Sequence, residues 1–385
     1  MKIEVVDEST LKLTFTTAVY PVSLCDRTMF PINQAFFENA GDSYGSSAET
    51  WLSNGPFMVD SWAEDRLVLK KNPAYWDADS IHLDSITMIF DAMNDTGVDM
   101  MLAGEIQMAP INSANQITAM TDAGYSIADV YGGYEYIYIN HQGKNEETAA
   151  FLQNQNFRLA LSTALDRTAL CNSIFTAYTP ADRLIDDNER GINDTFVNEY
   201  PYTGWSTTAD VEAAQAYMDK ALEELGKTAE DIPTFTFLTF AGTDSANMVS
   251  AIGDMWGKIG VSVEYDGQEF QGYVTKAYSS DFDFVDCGTE NSAVDWFEAQ
   301  GKYFLSPASA LPYYESEEYD ALAANVTGAA DWTARKDALF ELEKFVTEQA
   351  LVFDVANIDM VYACDPSITG IYTTNVLDLT YADIQ

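Results

Sequence analysis

Basic residues, cysteine and histidine are scarce in this 385-residue chain. Lys and Arg number 19 against 61 Asp and Glu, which gives a net charge of −42 at pH 7. A field of this sign repels DNA, RNA and anionic lipid, so we expect no nucleic-acid partner. The acidic residues are spread along the chain and not gathered into one tail, which is typical of a solvated surface.

Metal and membrane signals are also missing. The cysteines Cys25, Cys171, Cys287 and Cys364 lie far apart and form no CxxC pair, and only two histidines accompany them. This pattern does not predict a zinc site, and it leaves disulfide pairing open. No apolar run approaches the ~18 residues of a membrane span, and the first residues lack the pattern of a secretory signal. Two placements remain open: a cytoplasmic protein, or an exported one whose signal has been removed.

One stretch matches a catalytic motif by its letters. "GDSYG" (41–45) fits the GxSxG nucleophile elbow, with Ser43 as the nucleophile. That motif requires a strand before the serine and a helix after it. Here a predicted helix precedes the serine and a Ser/Thr-rich loop follows. His82 and His141 have no neighbours that suggest a catalytic base, so the sequence favours a surface loop over a hydrolase.

The sequence also contains no complete motif for binding a metal or a nucleotide cofactor. "DDNERGINDTFV" (186–197) spaces Asp, Asn and Gly as in an EF-hand, but Arg190 and Val197 stand where ligands are needed. The chain has neither a P-loop nor a GxGxxG motif. The sequence therefore indicates no cofactor, no metal and no catalytic machinery.

What the chain does have is 47% hydrophobic and 13% aromatic residues, enough for a large core in more than one lobe. Residues 2–17 and 57–72 each alternate on both sides of a polar turn, which predicts two β-hairpins whose apolar faces lie against a larger sheet. Residues 234–265 read as strand, helix and parallel strand, with Ser245 or Asp244 as the cap of the helix. The chain is predicted to be mixed α/β.

Three further patterns complete this prediction. An apolar stripe over 147–175 predicts a buried helix, and 331–350 predicts an amphipathic one. "LVFDVAN" and "MVYAC", within 351–364, predict a pair of strands. In α/β sheets, ligands bind beyond the carboxyl ends of strands, and some of the 22 Tyr, 21 Phe and 7 Trp are expected to line such a cleft.

Five segments, in order, carry a resemblance to a known family. They are "NGPFMVDSWAEDRLVLKKNPAYW" (54–76), "LAGEIQM" (102–108), "NQNFRLALSTALDRTAL" (155–170), "GWSTTADVEAAQAYMDKALEELG" (204–226) and "MWGKIGVSVEYDGQEFQGY" (255–273). They resemble the family 5 extracytoplasmic solute-binding proteins of peptide and nickel ABC transporters, the oligopeptide- and dipeptide-binding type. In the third segment Arg158, Ala164, Asp166 and Arg167 match the family pattern.

The resemblance implies a periplasmic-binding-protein-like type II fold, with two α/β lobes of mixed sheets. Residues 1–50 would be the remnant of a small N-terminal lobe that is largely missing, and residues 51–133 part of the first lobe. Residues 134–377 would form the second lobe, and residues 378–385 would return to the first. Family members carry an export signal, a lipid anchor and about a quarter of the folded protein before the first hairpin, so a truncated chain is expected.

The resemblance also points to ligand-binding residues. Family members hold extended peptides between two lobes, and an aspartate binds the terminal ammonium. In the corresponding stretch, "DCGTENSAVDWF" (286–297), Glu290 or Asp295 is the candidate carboxylate. Phe270 and Tyr381 resemble aromatic residues of the family's cleft, ordinary core packing being the alternative.

These resemblances imply that the protein binds solutes, oligopeptides or dipeptides above all, for ABC-transporter uptake. A membrane permease would be its partner, and the protein itself would be an extracytoplasmic monomer, membrane-anchored at full length. Two alternatives stay open: a hydrolase of peptides or esters acting through Ser43, and a scaffold that has lost ligand binding.

Overall fold

A computed structural model describes residues 2–15, 31–93, 96–111, 113–174, 178–186, 189–290, 295–307, 311–373 and 377–385. Within these ranges it does not describe the side chains of Met93, Tyr131, Thr243, Asp244, Thr289, Glu290 and Asp359.

Helices and strands alternate along most of the described chain. The α-helices are α1 (Gln34–Ala40), α2 (Thr96–Leu102), α3 (Ala114–Asp122), α4 (Glu146–Leu152), α5 (Gln155–Ala164), α6 (Arg167–Ser173), α7 (Phe196–Glu199), α8 (Val211–Leu225), α9 (Thr243–Gly257), α10 (Phe270–Tyr278), α11 (Trp296–Ala299), α12 (Glu317–Thr327) and α13 (Trp332–Glu348).

The strands are β1 (Lys2–Asp7), β2 (Thr10–Thr14), β3 (Phe57–Trp62), β4 (Arg66–Lys71), β5 (Ser85–Ile89), β6 (Met108–Ile111), β7 (Ser126–Ile139), β8 (Thr179–Pro180), β9 (Thr234–Phe240), β10 (Ser262–Gln268), β11 (Phe284–Glu290), β12 (Val352–Cys364), β13 (Ile368–Thr369), β14 (Tyr372–Thr373), β15 (Leu377–Asp378) and β16 (Asp383–Ile384). Within the described part of the chain, every helix is too short or too polar to span a bilayer.

The chain divides into two compact units. Unit 1 comprises Met1–Met29, Tyr134–Ile174 and Thr179–Asn357, and unit 2 comprises Phe30–Gly133, Phe175–Tyr178 and Ile358–Gln385. The assignment of residues 1–50 to the remnant of a small lobe stays a prediction.

Unit 1 is built on a mixed sheet in which neighbouring strands follow the order β10, β9, β11, β7, β12. β9 runs parallel to both β10 and β11, while β8 pairs antiparallel with β12. The parallel core follows from the strand–helix–strand order of residues 234–268, because a parallel return needs a crossover helix. The predicted mixed α/β fold is confirmed.

Aromatic side chains fill the unit 1 core. Phe235 and Phe237 on β9 and Phe284 on β11 are fully buried, and Trp256 of α9 packs against the last two. The indole nitrogen of Trp256 donates a hydrogen bond to the Leu161 carbonyl at 3.0 Å. Burying a ring of this size contributes on the order of 2–3 kcal/mol, so this cluster fixes the helices on the sheet.

Unit 2 holds the three-stranded antiparallel sheet β3–β4–β5 and a separate small core. That core joins α2, β6, α3 and the end of β12, and its buried members are Val98, Met101, Ala109, Ile111, Met120, Val361 and Ala363. β6 pairs antiparallel with residues 361–364 of β12.

Several details differ from the sequence predictions. The stripe over 147–175 forms three helices, α4 to α6, because the side chains of Asn154 and Asp166 cap new helices at Phe157 and Ala169. The expected strand pair at 351–364 is one continuous strand, β12. The helix after β9 begins at Thr243, and its N-cap residue is Gly242 and not Asp244 or Ser245.

Both predicted hairpins form, but the expectation that the apolar face of the first hairpin lies against a larger sheet is wrong for the described residues, whereas for the second hairpin it stays a prediction. β1 and β2 pair only with each other, and β3–β4 adds only β5. Ile3, Val5 and Leu11 are 56%, 77% and 65% exposed. Alternation identifies an apolar face, but it does not say which element packs on it.

Candidate functional site

The carboxyl ends of β9, β10 and β11 meet at one edge of the unit 1 sheet. The register aligns Gln268 with Phe240, and Phe284 and Val285 with Phe237 and Leu238. In this register β11 extends beyond the last residue of β9, Phe240, and ends at residue 290. Parallel strands of this kind place the residues that follow them at a common edge, where ligands bind in α/β sheets.

Three rings stack at this edge, and we call them the aromatic ladder: Phe270, Phe240 and Tyr273. Phe240 lies nearly parallel to both neighbours, with ring centroids 6.3 Å from Phe270 and 4.2 Å from Tyr273. Exposure falls along the ladder, from 69% for Phe270 through 41% for Phe240 to 7% for Tyr273. The ladder thus presents apolar area to solvent and continues into the interior, as organic ligands require.

Two carboxyl groups lie beside the ladder, and we call Glu135 of β7 and Asp286 of β11 the carboxyl pair. The Tyr273 hydroxyl donates to the Asp286 main-chain carbonyl at 2.8 Å, and the Thr239 hydroxyl donates to Asp286 Oδ2 at 2.9 Å. Asp286 is the neighbouring acidic group that acts most strongly on Glu135.

Burial, and next to it the neighbouring Asp286 carboxylate, hold the pKa of Glu135 well above its ordinary value. Burial and Asp286 also raise the pKa of the Cys287 thiol to about 11. These shifts favour the neutral form of the Glu135 carboxyl and leave Cys287 as an uncharged thiol. Together, ladder and pair can hold an organic group and receive hydrogen-bond donors at its end.

Asp295, one of the two carboxylates predicted to bind ligand, is buried in unit 1. It caps α11, and its oxygens accept hydrogen bonds from Arg335 Nε at 2.6 Å and Nη2 at 2.9 Å. Both residues are 1% exposed. A bidentate pair of this geometry is among the stronger protein ion pairs, so the carboxylate already has an internal partner, and its ligand role stays a prediction.

The other predicted residues fall in different places. Glu290 ends β11, but its side chain lies outside the described ones. Phe270 opens α10 and forms the exposed end of the aromatic ladder. Tyr381 lies in unit 2, where its hydroxyl donates to Asp77 Oδ2 at 3.2 Å and its ring meets Tyr372 edge to face. Phe270 is the predicted residue that the structure places at the strand ends.

The serine motif does not form an elbow. Ser43 ends a 3-10 turn, Gly41–Ser43, which follows α1 directly. The strand–turn–helix that would expose a nucleophile is missing there. His141 is buried, and its Nε2 contacts the Leu351 carbonyl at 3.1 Å.

In the loop with EF-hand spacing, main-chain amides are hydrogen-bonded to a nearby carboxylate. The Glu199 carboxylate accepts amide hydrogen bonds from Ile192, Asn193 and Asp194. Among the described residues no three His, Cys, Asp or Glu gather as metal ligands. Cys171, Cys287 and Cys364 are free thiols, and Cys25 lies outside the described residues.

Sequence reasoning overlooked Phe240, Tyr273, Glu135 and Asp286. A signal for Glu135 exists in "YEYIYIN", because its carboxylate occupies the strand face that it shares with the buried Ile137. A charged residue on such a face needs a partner or a function. The proximity of Asp286 has no signal in the local sequence, because it depends on β7 and β11 being neighbours.

A family model described as bacterial extracellular solute-binding proteins, family 5 Middle, matches residues 1–309. The oligopeptide-binding protein OppA of Bacillus subtilis (strain 168) is 28% identical over 298 residues, which cover 73% of this chain and 51% of that protein. The match thus spans about half the length of this relative.

Two solved structures share the fold. The substrate-binding domain of an oligopeptide ABC transporter from Bacillus anthracis str. Ames superposes with a TM-score of 0.77 at 21% identity, over 99% of this chain and 75% of that one. OppA of Listeria monocytogenes bound to peptide gives a TM-score of 0.75 at 20% identity, over 99% and 75%. The fold of this chain is therefore that of oligopeptide-binding proteins.

Proposed function

This chain belongs to the bacterial extracellular solute-binding proteins of family 5, and we propose that it binds an oligopeptide or dipeptide for uptake by an ABC transporter. The observation that supports this proposal is the aromatic ladder at the carboxyl ends of the unit 1 strands. Phe270 exposes 69% of its surface although it stacks on Phe240, which stacks in turn on Tyr273. A ring held in place but left open is suited to pack against a ligand.

The proposal extends to the protein's partners. A permease in the membrane would receive the ligand, and the binding protein would act outside the cytoplasm as an anchored monomer without catalytic activity. Glu290, Asp295 and Tyr381 remain proposed ligand-binding residues beside Phe270.

Phe270→Ala tests the proposal. Native mass spectrometry of the purified protein would first identify retained peptides, and calorimetry would then measure their affinities for wild type and variant. Losing the ring removes apolar contact worth about 1.5–3 kcal/mol when fully buried, so we expect peptide affinity to fall about tenfold or more.

The matched control is Tyr278→Ala. Tyr278 is 70% exposed and ends the same helix, so this variant removes an equally exposed ring without touching the ladder. Equal losses in both variants would contradict the proposed place of binding. Absence of any peptide, both in the purified protein and in titrations with a peptide library, would contradict peptide binding and favour a scaffold that has lost its ligand.

A further inference from the structure

A groove lies between helices α12 and α13 of unit 1. Its cavity has a volume of about 370 Å³, and small-molecule sites in proteins measure about 300–1,000 Å³. Within each helix the lining residues are three or four positions apart, so each helix presents one face to the groove. The residue that follows α7 adds a further side. The lining includes Tyr200, Leu322, Asn325, Asp337, Phe340 and Glu341.

Two rings form the apolar wall of this groove. Tyr200 and Phe340 are in contact, with ring centroids 5.2 Å apart. Each also contacts a second ring: Phe196 stacks on Tyr200 at 4.8 Å, and Tyr202 meets Phe340 edge to face at 5.9 Å. Tyr200 and Phe340 are half-buried, so the four-ring cluster holds the wall in place while part of it stays accessible. Such a pre-formed aromatic wall is typical of ligand sites.

The polar side chains of the groove are mainly hydrogen-bond acceptors. Asp337 and Glu341 are exposed carboxylates one turn apart on α13, and Asn325 adds a carboxamide. The Tyr200 hydroxyl donates to Asp337 Oδ1 at 2.6 Å, which leaves the other carboxylate oxygen for a further donor. None of the described lining residues is basic. The groove therefore offers negative charge and acceptors to a donor from outside.

The nearby basic side chains do not fill the groove. Arg335 and Lys336 are buried on α13 and paired with other carboxylates. The Lys344 ammonium contacts Glu341 at 2.6 Å and lies 4.8 Å from the centroid of the Phe340 ring. This contact shows that the ring accepts an ammonium group. Glu341 is 59% exposed, and an ion pair at such a position contributes little, so another ammonium can replace it.

These groups narrow the class of ligand. Two carboxylates and a net charge of −42 repel an anion. A metal ion lacks ligands, because no three His, Cys, Asp or Glu gather in the part of the chain that the structure describes. A neutral apolar molecule would use the rings and leave the carboxylates without a donor. An amine with an apolar body uses both, through ring contact and charge-assisted hydrogen bonds.

We propose that this groove is a second binding site, for a small free amine. The apolar body of the amine packs on Tyr200 and Phe340, and its ammonium group donates to Asp337 and Glu341. The site shares no residue with the aromatic ladder or the carboxyl pair. The inference therefore goes beyond peptide binding and does not depend on it.

The experiment titrates the whole chain with two probes that share a ring and differ in charge. 2-Phenylethylamine carries an ammonium group at neutral pH, and 2-phenylethanol is its neutral counterpart. Saturation-transfer NMR of the probes reports their binding. We expect the amine to bind roughly fivefold more tightly than the alcohol at low salt. This preference should shrink in high salt, because exposed charges are screened.

Variants at exposed positions locate the site. Asp337→Asn keeps an oxygen for the Tyr200 hydroxyl but loses the charge, and Glu341→Gln removes the second charge. Each should reduce the preference for the amine, and the two together should abolish it, while the alcohol binds as before. Glu348→Gln is the matched control, since it removes an exposed acid at the end of the same helix. In this control, and in Phe270→Ala, the preference should persist.

The possible results are distinct. Equal binding of both probes, or a preference that survives the loss of both carboxylates, would overturn the site. An equal loss in Glu348→Gln would assign the effect to the overall charge of the helix, and a loss in Phe270→Ala would move the amine to the aromatic ladder; either result contradicts the proposal. Peptide titrations are separate measurements, so a failure of peptide binding leaves this test intact.

Discussion

Asp295→Asn separates two roles for one carboxylate, ligand binding and support of the fold. The substitution keeps the size of the side chain and its ability to cap α11, since Asn is as good a cap as Asp. It removes the charge that faces Arg335, whose guanidinium is 1% exposed. Burial by itself would lower the pKa of Arg335, yet hydrogen bonds and charge from Asp295 and Glu298 raise it above its ordinary value. The guanidinium therefore stays charged and needs this partner.

The cost follows from the contacts that remain. Breaking a buried ion pair by removing one partner costs about 3–5 kcal/mol. Arg335 keeps a contact to Glu298 at 3.1 Å and a hydrogen bond to the Val326 carbonyl at 3.2 Å, which favours the lower end, about 3 kcal/mol. At about 2 °C per kcal/mol for a unit of this size, the melting temperature should fall by about 6 °C.

Two measurements decide between the roles. Urea unfolding and calorimetric melting give the change in stability, and peptide titration at 15 °C, where the variant stays folded, gives the change in affinity. The control is Asp254→Asn on the exposed side of α9, which should melt like the wild type. An unchanged melting temperature together with lost peptide affinity would refute the structural role and assign Asp295 to the ligand.

Two further variants probe the packing of unit 1. Gly143→Ala should lower the free energy of unfolding, measured with urea, by about 2 kcal/mol more than Gly226→Ala does. Both glycines have positive φ, but a Cβ on Gly143 would lie 2.6 Å from the Ala149 Cα, whereas a Cβ on Gly226 would meet nothing within 4 Å. Burial, and after it the charge of Arg158, hold the pKa of His141 well below its ordinary value, so the unfolded state binds its proton first. The free energy of unfolding should therefore fall as pH drops below about 6.5, by up to about 1.4 kcal/mol per pH unit, and His141→Gln should remove that part of the slope.

Elements with strong local signals could be predicted from the sequence. The strand–helix–strand of 234–268 has clear periods and short connections, and the structure places it as expected. The stripe over 147–175 has an equally clear period, but the period does not show that the helix is interrupted. Asn154 and Asp166 end the helical runs by offering side-chain oxygens to the next amides. A cap of this kind competes with the helix interior, and it outweighs the apolar stripe.

Fewer residues of the candidate site could be predicted from the sequence, because they come from distant segments of the chain. Phe270 could be singled out, since it stands within a family-like segment. Tyr273 follows three residues later on the same helix, but Phe240 becomes their neighbour only through the parallel register of β9 and β10, which ends β9 near the start of α10. Glu135 and Asp286 meet only because β7 and β11 are adjacent. Periodicity indicates which side of a strand a residue occupies, but not which strand lies beside it.

The scarcity of basic residues limits how the buried carboxyl groups of unit 1 can be neutralised. With 19 Lys and Arg against 61 acids, most carboxylates of this chain must be neutralised by water, and those that water cannot reach need a cation or hydrogen-bond donors of the protein. Unit 1 supplies basic side chains to Asp295, Glu189 and Glu343, and main-chain amides of Lys144 and Thr236 to the buried Asp283. At Glu135, burial and the neighbouring Asp286 instead raise the pKa of the carboxyl, which favours its neutral form. A protein of such strong negative charge also concentrates cations around itself, and these neutralise its exposed carboxylates.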